Sequence, residues 1–184
     1  QYEWIYLLND DMYLPCGWDE KLIFPSECFS PQTNWLSEPV PGLNYATLDA
    51  GTTLETFNKE MVDDFMMNNT DTIVENGFHF PIIFKKSLWE KVGGFDEHFD
   101  PWGSNGDSDF EYKVVCAGVQ PKFYHGTFAY HFGSKSESFS ADKQVYWQKN
   151  WDYFKEKWGF TREETPDIQR ADLHIPADKF REIL

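Results

Sequence analysis

Cysteine is scarce in this sequence. Cys16, Cys28 and Cys116 are the three among 184 residues, and they show no metal-type spacing. That excludes a disulfide framework and a thiolate zinc site, and it makes a reducing, cytoplasmic compartment the default. Basic residues are also few. Sixteen Lys and Arg stand against 31 Asp and Glu, for a net charge of −15, and no basic cluster interrupts the acidic excess. Affinity for phosphate backbones needs clustered positive charge, so nonspecific nucleic-acid binding is excluded, whereas a divalent cation would be well received. No apolar run approaches the roughly 20 residues of a membrane span, which leaves membrane attachment to regions outside this chain. There is no internal repeat and no interdomain linker. The expected organisation is one domain over residues 1–159 and a polar, loosely attached tail over 160–184.

What is present is apolar and aromatic. Hydrophobic residues make up 41% and aromatics 18%, which rules out a disordered chain. Eight Trp, nine Tyr and 17 Phe exceed what a core needs and leave rings free to stack on flat or cyclic ligands. Residues 2–8, YEWIYLL, suit a strand buried on both faces. The break at Pro15-Cys16-Gly17-Trp18 precedes a short helical segment over 19–24, and the Pro, Ser, Asn and Gly content of 25–51 predicts mostly loop. Leu54, Phe57, Met61, Val62, Phe65 and Met66 give helical spacing over 53–68. A strand is expected over 79–84. A helix should follow it, with Ser87 as N-cap and Gly93-Gly94 as stop. Helix is also predicted over 107–117 and strand over 121–131. The stripe Val145, Trp147, Trp151, Phe154 and Trp158 predicts a helix over 142–158. The pattern as a whole is α/β, with a mixed or parallel sheet covered by helices.

Three constellations bear chemistry. Asn9-Asp10-Asp11 closes the first strand, where a carboxylate can hold a hard cation through oxygen; Asn and Asp also commonly start a turn. Asp107-Ser108-Asp109 opens a helix, where an acid is an ordinary complement to the helix dipole. The preceding Trp102-Gly103 is harder to explain as capping, and an aromatic on a glycine-rich loop suits a platform for a sugar face. His131 follows an aromatic strand and is either a satisfied core histidine or a neutral imidazole ligand.

In order and spacing these pieces resemble the inverting GT-A fold glycosyltransferases of the large bacterial-type family, with a further likeness to the β-1,4-galactosyltransferases. The match spans residues 2 to about 159. LNDDM looks like the Asp-x-Asp element and FPIIFKKSLWEKVGGFDEHF like the acceptor-side segment. GDSDFEYKVVCAG looks like the Glu-Asp-x-Asp helix, AYHFGS like the metal-histidine element and NWDYFKEKWG like the closing helix. The resemblance implies Asp11 and His131 as ligands of Mn²⁺ or Mg²⁺, with Asn9, Asp10 and Asp11 at the nucleotide-sugar diphosphate. It implies Asp107 as general base, and Trp102, Gly103, Gly106 and Asp109 on the acceptor side. Gly106 departs from the pattern, since an acid normally stands there.

The implied reaction is metal-dependent transfer of a sugar from a nucleoside-diphosphate donor to a glycan or other hydroxyl acceptor, with inversion. In the resembling family a nucleotide-binding half precedes the Asp-x-Asp element. The chain is accordingly expected to be the C-terminal part of a GT-A domain, incomplete and inactive alone, and to self-associate through an exposed sheet edge. Two other classes compete. In a noncatalytic carbohydrate-binding module the rings would stack on sugars and the acids would cap helices. A metal-dependent hydrolase would need more clustered ligands than Asp11, His131 and Asp109.

Overall fold

A computed structural model gives the fold of residues 2–35, 45–99, 105–132 and 141–159. Trp102, Gly103 and the tail over 160–184 lie outside the described residues. Among those described, seven strands and four helices follow one another as β1 (Trp4–Leu7), β2 (Met12–Tyr13), β3 (Cys28–Trp35), β4 (Tyr45–Thr47), α1 (Lys59–Asn68), β5 (Val74–Asn76), β6 (Ile82–Lys85), α2 (Lys86–Val92), α3 (Gly106–Cys116), β7 (Lys122–His131) and α4 (Ala141–Trp158).

The sheet is mixed, in the order β1-β6-β3-β7-β2, with β4 added to β3 and β5 to β7. The central pair β3 and β7 runs parallel, as do β3 and β4, and every other pairing is antiparallel. The α/β class expected from the sequence is therefore present, with a mixed rather than a wholly parallel sheet.

Alternation along the strands builds two cores at once. Cys28, Ile82 and Phe84 point into a cluster with Leu88 and Val92 of α2 and Phe110 and Val114 of α3, and Ile5 and Leu7 of β1 pack against it. Their strand neighbours Phe29 and Ile83 join Tyr124 in a second cluster, covered by Trp4, Tyr6, Trp18 and Leu22. α1 closes a third cluster by setting Val62 and Met66 against Phe128 and Tyr130 of β7.

β1 has apolar side chains on both faces, but it is not the strand buried on both faces that the sequence suggests, because it ends the sheet path. All four of its residues are only partly buried, and its outer edge has no strand partner among the described residues.

Several local expectations are corrected. The segment 25–51 contains β3, which pairs with three other strands, and β4. Pro31 lies where the register between β3 and β7 shifts, the kind of irregularity at which a strand tolerates proline. The buried polar residues of β3 are paired: Ser30 Oγ donates to His79 O at 2.6 Å and accepts from His79 N at 3.1 Å. Residues 18–22 form successive turns, with Leu22 N donating to Asp19 O at 3.2 Å, instead of a helix.

α1 starts at Lys59, where Asn58 Oδ1 accepts from Met61 N at 3.0 Å, because Thr53 and Thr56 bond each other and hold the chain out of helix. α2 begins at Lys86, so Ser87 lies inside it and does not cap it. On α4 only the end of the aromatic stripe is buried: Phe154 and Trp158 pack inward, while Val145 is 67% exposed.

Candidate functional site

The turn at Asp10-Asp11 joins β1 to β2, so the expectation of a turn here and the expectation of a ligand fall on the same residues. β2 is short but fixed. Met12 pairs with His131 and Tyr13 with Tyr130, and Phe132 N donates to Asp11 O at 3.0 Å. That register sets Asp11 directly across from the end of β7. His131 Nε2 lies 3.1 Å from Asp11 Oδ2, and both side chains are partly shielded, at 23% and 18% exposure.

Supports surround the pair. Asn34 of β3, almost fully buried, accepts from His131 N through Oδ1 at 2.6 Å and donates from Nδ2 to His131 O at 3.0 Å. Next along β7, Tyr130 donates its hydroxyl to Gly51 O at 2.8 Å and accepts from Ala50 N at 2.9 Å. Tyr13 donates to Asp63 Oδ1 at 2.8 Å, and Lys59 forms an ion pair with the same carboxylate. Burial opposes ionisation of Asp63, but the bonds from Lys59, Cys16 N and Tyr13 outweigh it and keep the carboxyl below its usual range. Phe57 rests edge-on against both Tyr13 and Phe132, with centroids 5.1 and 4.8 Å away.

A divalent ion fits this pair. Neighbouring ligands of an octahedral ion at about 2.1 Å lie about 3 Å apart, which matches the spacing of Asp11 Oδ2 and His131 Nε2. Oxygen and neutral imidazole are donors that Mn²⁺ and Mg²⁺ accept, and such ions commonly take only one or two carboxylates and complete their shell with phosphate and water. No group of three or more His, Cys, Asp or Glu able to hold a metal occurs among the described residues. Asn9 and Asp10 are exposed beside the pair.

The second constellation lies on α3. Asp107 is exposed in its first turn, and its Oδ1 accepts from Ser108 N at 2.8 Å. No hydrogen bond or ion pair joins Asp107 to Asp11 or His131 among the described residues. Gly106 opens the helix, and among the described residues a Cβ placed there would meet only Phe99, at 3.7 Å, so none of them requires glycine there.

Asp109, expected on the acceptor side, is fully buried. Its Oδ1 accepts from Trp158 Nε1 at 2.9 Å and pairs with Lys157 Nζ at 2.8 Å, while Lys113 Nζ lies 2.9 Å from Oδ2. Lys157 also bonds Asp96 Oδ2 at 2.5 Å, and Tyr153 donates to the same oxygen at 2.8 Å. Burial alone would raise the pKa of Asp96, but Lys157, His98 and Tyr153 overcome it and hold the carboxyl well below the ordinary range.

Sequence reasoning missed both Asn34 and this charge network. Asn34 sits in a stretch that reads as loop. Asp96 and Lys157 are residue types that usually face water.

Comparison with protein-family models and with curated proteins returns no match to this chain. Among the described residues no helix is long and apolar enough to cross a membrane.

Proposed function

We propose that this α/β domain is a GT-A-type glycosyltransferase domain that moves a sugar from a nucleoside-diphosphate donor to an acceptor hydroxyl with inversion. The observation that carries this reading is the 3.1 Å approach of Asp11 and His131, brought together from positions 120 residues apart. These two side chains would hold Mn²⁺ or Mg²⁺ against the donor diphosphate, with Asn9 and Asp10 beside it. A divalent ion bound there supplies Lewis-acid stabilisation of the charge that develops on the diphosphate as the anomeric C–O bond breaks.

The other half of the chemistry belongs to Asp107. An acceptor hydroxyl becomes an adequate nucleophile when a carboxylate takes its proton in the transition state. Asp107 is exposed, and its Oδ2 is unengaged among the described residues. The hydroxyl attacks the face of the anomeric carbon opposite the diphosphate, so no protein nucleophile is needed and the configuration inverts. Trp102, Gly103 and Gly106 belong to the acceptor side in this reading.

We place the reaction in a reducing, cytoplasmic compartment, in keeping with three unpaired cysteines. Self-association through β1 belongs to the same reading, because its edge carries none of the charges, prolines or bulges that normally blunt an edge strand. Sedimentation velocity at two concentrations tests it, and an unchanged coefficient refutes it.

The deciding experiment for the site is calorimetric titration of the chain with Mn²⁺ and a series of nucleoside diphosphates. Binding of a diphosphate that requires Mn²⁺, and that is abolished in Asp11→Asn and His131→Ala, is the expected result. Metal-independent binding, or binding that survives both substitutions, removes the basis for a transferase.

A further inference from the structure

We propose that Lys157 is a positioning residue for Asp107. It bonds Asp96 and Asp109 at once and so fixes the first turn of α3, on which Asp107 stands, against the segment that follows α2. This inference rests on the transferase reading for its kinetic consequence, though not for its structural one.

The geometry is that of one cation between two carboxylates from separate parts of the chain. Lys157 Nζ lies 2.5 Å from Asp96 Oδ2 and 2.8 Å from Asp109 Oδ1, with its side chain only 12% exposed. Asp109 is two residues beyond Asp107 in the same helical turn, so any displacement of its carboxylate moves the backbone that carries the proposed base.

The other partners restrict the same atoms. Trp158 Nε1 fixes Asp109 Oδ1, and Lys113, one helical turn on, reaches Asp109 Oδ2 while donating to Gly94 O at 3.1 Å. Asp96 Oδ1 accepts from His98 N at 3.0 Å. Rings of Phe99, Tyr153 and Trp158 stand 5.8, 5.9 and 5.9 Å from the Lys157 ammonium, close enough for cation–π attraction.

Stability alone does not account for this arrangement. A buried ion network is weak support for a fold, since apolar residues of the same volume often stabilise as well. Its geometric specificity is what an apolar replacement would lose. Tyr112, Phe154 and Trp158 already join α4 to α3 by apolar contact, with ring centroids 5.5 and 5.1 Å from Tyr112. Lys157 adds a fixed register between α4, the first turn of α3 and Asp96.

The test pairs two substitutions with two measurements. Lys157→Met keeps the stem volume and removes the cation. Asp96→Asn keeps the shape of its side chain and weakens one arm, so it serves where the first variant folds poorly. Amide exchange is followed over residues 96–99 and 105–110 of the chain, and Mn²⁺-dependent transfer is followed as kcat and donor KM with a nucleotide-binding half supplied.

The clamp predicts faster exchange confined to those two segments. It also predicts a fall in kcat of about 10²-fold for Lys157→Met, the order of loss expected when a catalytic group is misplaced by about 1 Å. Donor KM and Mn²⁺-dependent diphosphate binding stay within about two-fold of the native chain, since uniform binding is untouched. Exchange that rises evenly through α2, α3 and α4, or that does not change, overturns the proposal, as does an unaltered kcat. Because exchange needs no turnover, it decides the clamp even where the native chain fails to bind Mn²⁺ and diphosphate, an outcome that would overturn the transferase reading alone.

Discussion

Asn34 and His131 hold each other through both ends of a single amide. Oδ1 of Asn34 accepts from the backbone N–H of His131 and Nδ2 donates to its carbonyl, so the last residue of β7 is paired as if by another strand. The imidazole then projects from a backbone that cannot shift without breaking two bonds. Asn34→Ala should cost about 1–3 kcal/mol in all, since the partly buried N–H and carbonyl of His131 lose their partner. A thermal melt in which the variant retains the native midpoint would refute this. The same variant should weaken Mn²⁺ binding, because it frees the backbone of His131 while leaving both proposed ligand side chains in place.

Asp107→Asn separates the transferase from its competitors. The amide is isosteric and can still accept from Ser108 N, so the fold and Mn²⁺-dependent diphosphate binding are retained. Turnover should fall by about 10²–10⁴-fold, the usual contribution of a general base. A noncatalytic sugar-binding module would show no comparable loss, and full activity in the variant would remove Asp107 from the mechanism.

Acid should attack the Asp96 network. The folded-state pKa of Asp96 is depressed below its unfolded value, so the native state gains stability from the ionised form at pH above about 4 and loses it as pH falls toward the folded pKa. The melting temperature of the native chain should therefore drop more steeply below about pH 4 than that of Asp96→Asn, which has no carboxylate to protonate. Parallel curves would contradict the assignment.

Gly106→Ala is expected to stabilise. The position opens α3, its Cβ would meet only Phe99 among the described residues and at an ordinary contact distance, and glycine is the costlier residue in a helix. A gain of about 0.4–1 kcal/mol in denaturant unfolding follows from the reduced freedom of the unfolded chain. Gly77→Ala should do the opposite, since its Cβ would fall inside the ring of Phe123. A cost of about 1–3 kcal/mol is typical of such overpacking.

The parts of the fold legible in the sequence are those set by local pattern. The apolar run of β1, the turn at Asp10-Asp11, the helix after Gly106 and the aromatic strand ending at His131 all lie close to where periodicity puts them. β3 was illegible for a physical reason. Its Pro31, Ser30 and Asn34 are poor strand residues by propensity, and each is accommodated by a partner distant in sequence: a register shift against β7, the backbone of His79, and the backbone of His131.

The candidate site divides the same way. Asp11 and His131 were suggested by their order along the chain, but their contact depends on the β2–β7 register, which no local pattern encodes. For Asp109 the sequence offered a first-turn acid and nothing to distinguish a solvent-facing one from the buried partner of Lys157 and Trp158.

The parallel pairing of β3 with β7 has a consequence for how the molecule assembles. Parallel neighbours cannot be joined by a hairpin, and here three strands and three helices, β4 to α3, intervene before β7 arrives. Contacts of such long sequence separation form late and fold slowly. On a ribosome adding about 5–20 residues per second, His131 emerges several seconds after Asp11. Through that interval β2 has no partner and β3 lacks β7, although β4 can already pair with it. The nascent chain would then carry bare apolar strand edges until β7 is made, which is the period in which a chaperone would have most to protect.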